Sequence, residues 1–255
     1  MQDDFPPSAP PPGAPSPPAA PPPGYAPPPV GGGSQVPATH LEPLPWDRRR
    51  ELGFGQALIE TIKMIATEPQ QSMARLRSDG DYVGPLLFAV LVTWIPVIIA
   101  QLWSTLFQGA MMGSMGSGTN ELAGMMGGTV IFLIVYVFAW PFILAFGIAI
   151  GTGMYHLSLM VVGATSASPT GIEGTFKALC YSQVASIALV IPLLGQLIAF
   201  VGQMVLTFFG FREAHETTSV KAILGLLMPL ILCCLCIVAM SMMFGAAMMQ
   251  GFNAG

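Results

Sequence analysis

The sequence predicts an all-α polytopic membrane protein: five transmembrane helices, preceded by an interfacial amphipathic helix and a disordered Pro-rich tail. Three observations carry this reading. Hydrophobic residues make up 53% of the 255 positions and charged residues only 9%, where a soluble domain carries about a quarter charged. Beyond residue 84 the chain is a succession of apolar stretches of bilayer length. The nine Lys and Arg residues all fall on one side of the resulting alternation.

Residues 1–46 stand apart. They hold 17 of the 24 prolines, in runs such as "PPSAPPPGAPSPPAAPPPGYAPPPVGGG", and almost nothing aliphatic to bury. Such a segment samples polyproline II and coil and reads as a solvated spacer rather than a ligand for a Pro-binding module. "MQDDFPP" places acidic residues where a signal peptide needs a basic n-region, so no secretion by that route is expected.

Residues 47–83 read as amphipathic juxtamembrane helices. In "FGQALIETIKMIATEP", Phe54, Leu58, Ile62 and Ile65 follow one another at four, four and three, one face of a helix. Arg48 to Arg50 precede it and Arg75 and Arg77 follow, which suits a helix lying on an anionic leaflet.

Residues 84–245 form the membrane domain, and 246–255 a short external tail. Span one covers Gly84 to Phe107, and span two Thr129 to Ile150 with apolar character continuing to Val162. Ala178 to Phe211 is apolar for 34 residues, which as one helix would measure about 50 Å against a ~30 Å hydrocarbon core. Pro192 and Gly195 in "IPLLGQ" break it into spans three and four. Span five runs from about Val220 to Phe244.

With five spans, Arg48, Arg49, Arg50, Lys63, Arg75, Arg77, Lys177, Arg212 and Lys221 share one side, and the loop "QGAMMGSMGSGTNELAGMMGG", the Pro192 turn and the tail share the other. The positive-inside rule then places the N-terminus in the cytoplasm and the C-terminus outside, in a membrane expected to be a bacterial inner membrane. Four spans would strand Arg212 and Lys221 outside.

Candidate chemistry is sparse, and no catalytic, cofactor or metal site is expected. "REAHE" offers Arg212, Glu213, His215 and Glu216, but a zinc-protease motif needs a second histidine where Ser219 stands. Charges there would cost about 3 kcal/mol each at the bilayer centre, which assigns the patch to the interface. Cys180, Cys233, Cys234 and Cys236 lack paired C-x-x-C spacing and read as small apolar residues. Met111, Met112, Met115, Met125, Met126, Met248 and Met249 gather on the outward side, where thioethers could hold Cu(I), although no His or Cys accompanies them. His156, Gln183, Gln196 and Gln203 are the polar groups placed in the membrane. Glutamines beside Gly195 and Gly202 suit interhelical hydrogen bonding, and Gly147 and Gly151 a close helix approach; His156 is the one ionisable group that a transport pathway could use.

From Trp46 to Met243 the chain resembles the Yip1 domain family of five-span membrane proteins. "GFREAHETTSVKA" is similar to that family's Gly, acidic-Ala-His core and Thr-Ser before a Lys-Ala step, and "CYSQVASIALVIPLLGQLIAFVGQMVL" to its Tyr-Ser stretch leading to a Pro and a Gly. "DYVGP", residues Asp81, Tyr82, Val83, Gly84 and Pro85, resembles the Asp-Leu-Tyr-Gly-Pro of eukaryotic members, with the tyrosine displaced. The resemblance implies a fold of five helices and no catalytic residue. Eukaryotic relatives bind prenylated Rab GTPases and shape organelles, whereas the prokaryotic branch, which this chain is more like, has no established activity.

The expected function is that of a non-enzymatic membrane-organising or adaptor component acting through its cytoplasmic face. Asp81, Tyr82, Gly84, Pro85, Arg212, Glu213, His215, Glu216 and Lys221 are the expected contact residues. Expected partners are the lipid bilayer, a protein at that face and a second copy of the chain, with no nucleic acid. The alternative is a small transporter or channel with a cavity around His156 and the span-four glutamines, or an outward copper-binding surface of methionines.

Overall fold

Residues 42–76, 78–114, 119–166 and 168–253 are described in a computed structural model of the chain, with the side chains of 112–130 and 243–253 left aside. Residues 1–41 of the Pro-rich tail and the side chains of all the outward methionines except Met111 therefore lie outside what is described, whereas 42–46, expected to be disordered with the rest of the tail, are ordered because Leu44 and Trp46 are buried in the core. Met111 is exposed.

Among the described residues the regular elements are helical and there is no strand. Three short helices come first, α1 (Arg49–Leu52), α2 (Phe54–Thr67) and α3 (Pro69–Met73). Ahead of them Leu44, Pro45 and Trp46 are buried as a strap. Trp46 is held from several directions: its backbone N–H donates to Thr61 Oγ1 (2.8 Å), and its ring packs on Phe54 and Phe88. The buried face of α2 is Ala57, Thr61 and Ile65, with Leu58 and Ile62 half-buried against the core. Phe54, expected on that face, is half exposed, because its edge serves Trp46 instead of the bundle.

The long helices follow: α4 (Val83–Ser114) and α5 (Thr119–Val161). Their hairpin is tied by Trp94 Nε1–H donating to the carbonyl of Val137 (3.1 Å) and Trp140 Nε1–H to Thr93 Oγ1 (3.3 Å). Both helices run into the stretch expected as an external loop, leaving only 115–118 between them undescribed. Met, Ala, Leu and Glu there are good helix formers, and they carry the helices past the apolar spans. Likewise α8 (Ser219–Asn253) continues through most of the segment expected as an external tail.

Between them lies a hairpin of unequal arms. α6 (Gly171–Ser182) runs into a 3-10 helix (Gln183–Val190), and the chain turns at 191–194 into α7 (Gly195–Ala214). The arms are antiparallel: Thr170 Oγ1–H donates to the Ala214 carbonyl, Ala178 sits on Gly210, Gln203 donates to Ser182, and Ala185 sits on Gly202. At the turn Pro192 lacks an N–H and Leu193 adopts φ 66°, which stops the helix. Gly195 is demanded by space, since a Cβ there would run into the Ala188 carbonyl. At Gly210 a Cβ would come within 2.5 Å of Ala178 Cβ.

Four helices are long and apolar enough to cross a membrane: Val83–Met111, Ile131–Val161, Gly195–Ala214 and Ser219–Met242. The segment expected as span three is not among them. It begins seven residues before Ala178, includes Glu173 and Lys177, and changes from α to 3-10 geometry midway. Its ten residues from Glu173 to Ser182 are all buried, packed against α4, α5 and α7. A helix surrounded by protein can be polar where a lipid-facing one cannot.

Candidate functional site

The polar chemistry collects at one end of the bundle. The start of α4, the end of α5, the start of α6, the end of α7 and the start of α8 meet there, because the hairpins alternate in direction. Lys221 on α8 donates to the carbonyl of Gly163, just past α5 (2.9 Å).

Glu173, in the first turn of α6, organises the approach to α4. Its carboxylate accepts hydrogen bonds from Ser78 Oγ–H (2.7 Å) and from the backbone N–H groups of Asp79 (3.0 Å) and Gly80 (2.9 Å). One turn on, Lys177 pairs with Glu173 (2.9 Å) and with Asp79. Both Glu173 and Lys177 side chains are under 10% exposed, so each charge is held out of water by its partner together with Asp79 and the donors of residues 78–80. Burial raises the Asp79 carboxyl, but its hydrogen bond to Lys177 and the backbone N–H of Asp81 outweigh that and hold it below the ordinary value. Asp47 accepts from the Tyr181 hydroxyl (2.8 Å); there burial prevails over that bond and raises the carboxyl.

"DYVGP" hangs from this clasp. Asp81 accepts from the Gly84 N–H (2.9 Å) and faces Arg49 (3.8 Å). Tyr82 is exposed at 43% with its ring edge against Phe176 of α6, while Gly84 and Pro85 are buried. The motif thus presents Asp81, Tyr82 and Val83 outward, and α4 begins at that exposed Val83 with Gly84 and Pro85 buried behind it.

"REAHE" divides in the same way. Arg212 is bonded to Glu213 (2.6 Å), and both are half-buried in the last turns of α7. Glu216, at φ 47°, is exposed. His215 turns inward and is 1% exposed, so it is not part of an outer contact surface. Its Nδ1 lies 2.7 Å from Ser168 Oγ and its Nε2 2.9 Å from Thr175 Oγ1, and Thr175 in turn lies 3.0 Å from His156 Nδ1. Burial, then the nearby His156, pushes the His215 imidazole down to about 4.

The structure therefore joins His156 to the patch around residue 215, which sequence spacing could not do. The glutamines separate: Gln203 donates to Ser182 (3.2 Å), Gln196 is exposed near the turn, and Gln183 donates weakly to the Leu179 carbonyl. Gln183 also lines an open pocket of about 310 Å³ with Trp140, Gly147, Gly151 and Tyr155, which does not include His156. Cys180 is buried, and Cys233, Cys234 and Cys236 lie on the outer surface of α8.

Sequence reasoning passed over Glu173, Asp79, Thr175 and Ser168. The signal for one pair was present: Glu173 and Lys177 are spaced i, i+4 with the acid first, the favourable order on a helix. The other two are common hydroxyl residues whose partners are about 20 to 50 positions away.

A helical bundle with four membrane-length apolar helices, and with Asp79, Glu173, Lys177, Arg212, Glu213 and Lys221 gathered at one end, defines an integral, multi-pass membrane protein. The Yip1 domain model matches residues 62–240, and the chain belongs to that family. No curated protein and no solved structure matches it.

Proposed function

We propose that the chain is a non-enzymatic membrane organiser or adaptor that crosses the bilayer five times and works through the end where its charges gather. Support for a fifth crossing comes from α6 and its 3-10 extension. Together they measure about 34 Å and run antiparallel to α7. Five crossings put the C-terminus on the side opposite the charged end, which the positive-inside rule makes cytoplasmic in a bacterial inner membrane. The observation that carries the adaptor reading is the clasp of Glu173 and Lys177 on residues 78–80. It fixes Tyr82 and Asp81 outward on one side of the α6 start, while Thr170 fixes the α7 end carrying Glu213 and Glu216 on the other.

Residues offered to a partner are then Asp81, Tyr82, Arg212, Glu213, Glu216 and Lys221, with Gly84, Pro85 and His215 supporting them from inside. Capture of the intact protein from mild detergent, compared with a Tyr82→Ala, Glu216→Lys double variant, tests this. Loss of a captured partner with normal membrane insertion is the expected result; identical captured sets from both proteins would refute the surface. Cysteine labelling of a C-terminal tag only from outside checks the five crossings. Solute flux in vesicles that depends on His156 or Gln203 would favour transport instead.

A further inference from the structure

Ser168, His215, Thr175 and His156 form one hydrogen-bonded row across the loop after α5, the end of α7, the start of α6 and the end of α5. The inner two, Thr175 and His215, are 0% and 1% exposed, while Ser168 and His156 at the ends are half-buried. A neutral imidazole has one donor and one acceptor nitrogen, and a hydroxyl has a single proton to give. Hydroxyl and imidazole alternate along the row, and the proton of the fully buried Thr175 has only the two ring nitrogens to go to, so two directions bond every buried proton and the members between them reverse together.

In the first direction Ser168 donates to His215 Nδ1, His215 Nε2–H donates to Thr175, and Thr175 donates to His156 Nδ1. In the second His156 Nδ1–H donates to Thr175, Thr175 donates to His215 Nε2, and His215 Nδ1–H donates to Ser168. Ser168 Oγ already accepts the Gly171 N–H (3.1 Å) and has a second lone pair for His215, which leaves its own proton to turn toward solvent. The first direction gives every hydroxyl proton an acceptor within the row, so it is favoured while both rings are neutral. With a proton on His156 Nδ1, Thr175 Oγ1 could accept from both rings only by leaving its own proton without an acceptor at a 0% exposed site, so the second direction is the one that bonds every buried proton.

We infer that the row is a proton conduit: taking up one proton charges His156 and switches His215 from its Nε2–H to its Nδ1–H tautomer. Each proton moves one place along, from Ser168 Oγ to His215 Nδ1, from His215 Nε2 to Thr175 Oγ1, and from Thr175 Oγ1 to His156 Nδ1. A proton from water replaces that of Ser168. The net change is one bound proton and one positive charge on His156, with no heavy-atom bond altered.

The charge settles on His156 because His215 is fully buried and its basicity is suppressed by that burial. Other charged groups on the packed elements are engaged elsewhere. Glu173 and Lys177 on α6 bind each other and Asp79, Arg212 and Glu213 on α7 bind each other, and Lys221 on α8 binds a carbonyl. Tyr155 of α5 packs on Phe211, and Glu216 points outward. Among the described residues His156 is the titratable ring that abuts His215, at 5.9 Å between centroids.

Side-chain nitrogen NMR of the full chain in nanodiscs, with ring-labelled histidine, tests the inference between pH 8 and pH 5. Protonated and bare ring nitrogens are directly distinguishable. The expected result is His215 as Nε2–H at pH 8, changing to Nδ1–H with the same midpoint at which His156 charges. Thr175→Val should leave His156 titrating and the His215 tautomer fixed, while Thr175→Ser should retain the switch. A native His215 that keeps one tautomer through the His156 titration overturns the inference, as does one already Nδ1–H at pH 8. Should Thr175→Val not fold, the native protein and Thr175→Ser decide the matter alone.

Discussion

The indole N–H of Trp46 donates to the backbone carbonyl of Gly84 across 2.7 Å, joining the strap ahead of α1 to the first turn of α4. The contact is fully buried and lies beside Asp81 and Arg49, so the position of "DYVGP" depends on a residue 38 positions earlier.

Replacing Trp46 with Phe keeps most of the apolar contact and removes that hydrogen bond, at an expected cost of about 1–3 kcal/mol. Trp46→Ala should cost about 3–5 kcal/mol, because the ring also fills the space between Phe54 and Phe88. Thermal unfolding in detergent measures both, and equal midpoints for the two variants would contradict this ranking.

Lys177→Met removes the cation and leaves the buried Glu173 with hydrogen-bond donors but no paired positive charge. A loss of about 3–5 kcal/mol is expected. Adding Glu173→Gln should recover a large part of it, since the double variant has no stranded charge. A double variant no more stable than Lys177→Met would show that the ion pair is not the reason.

The buried His215 makes stability fall with acid. Its folded value of about 4 lies below its ordinary 6.5. The unfolded state therefore binds more protons between those values, and stability, complete above pH 6.5, declines as pH drops toward 4. The full effect is a few kcal/mol at most, on the order of 1.4 kcal/mol per pH unit across that window. Asp79 acts in the same direction but only below its ordinary 3.8, and Asp47 acts oppositely just above that value. Unfolding midpoints of His215→Asn measured between pH 7 and 4.5 should fall less steeply with acid than those of the native protein.

Gly210→Ala places a methyl where only 2.5 Å separates it from Ala178 Cβ. Overpacking of this kind costs about 1–3 kcal/mol, and Ala178→Gly in the same chain should restore the loss. Unfolding midpoints of the single and double variants provide the check; no rescue would mean that the helices simply move apart.

Much of the fold was legible because lipid imposes a simple rule on the helices that face it. α4, α5, α7 and α8 meet that rule, and the break at Pro192 and Gly195 could be found because a proline cannot continue the pattern. α6 was harder to delimit, since burial against protein removes the need for apolar side chains, and its true start at Gly171 is hidden among polar residues. The site was less legible still. The family resemblance pointed to residues 81–85 and 212–221, but which of them face out depends on long-range bonds such as those from Trp46 to Gly84 and from His215 to Thr175. Side-chain direction at a helix end cannot be read from spacing alone.

The protein-wrapped position of α6 bears on how the chain is made. A segment carrying Glu173 and Lys177 is a poor candidate to leave the insertion machinery into lipid by itself, whereas α4 and α5, synthesised before it, are not. In the five-crossing arrangement α6 has to wait beside those two helices until the turn at 191–194 and α7 emerge to close around it. Biogenesis would then proceed by hairpins rather than by single helices, and a nascent chain arrested before Ala214 would be expected to leave α6 in water.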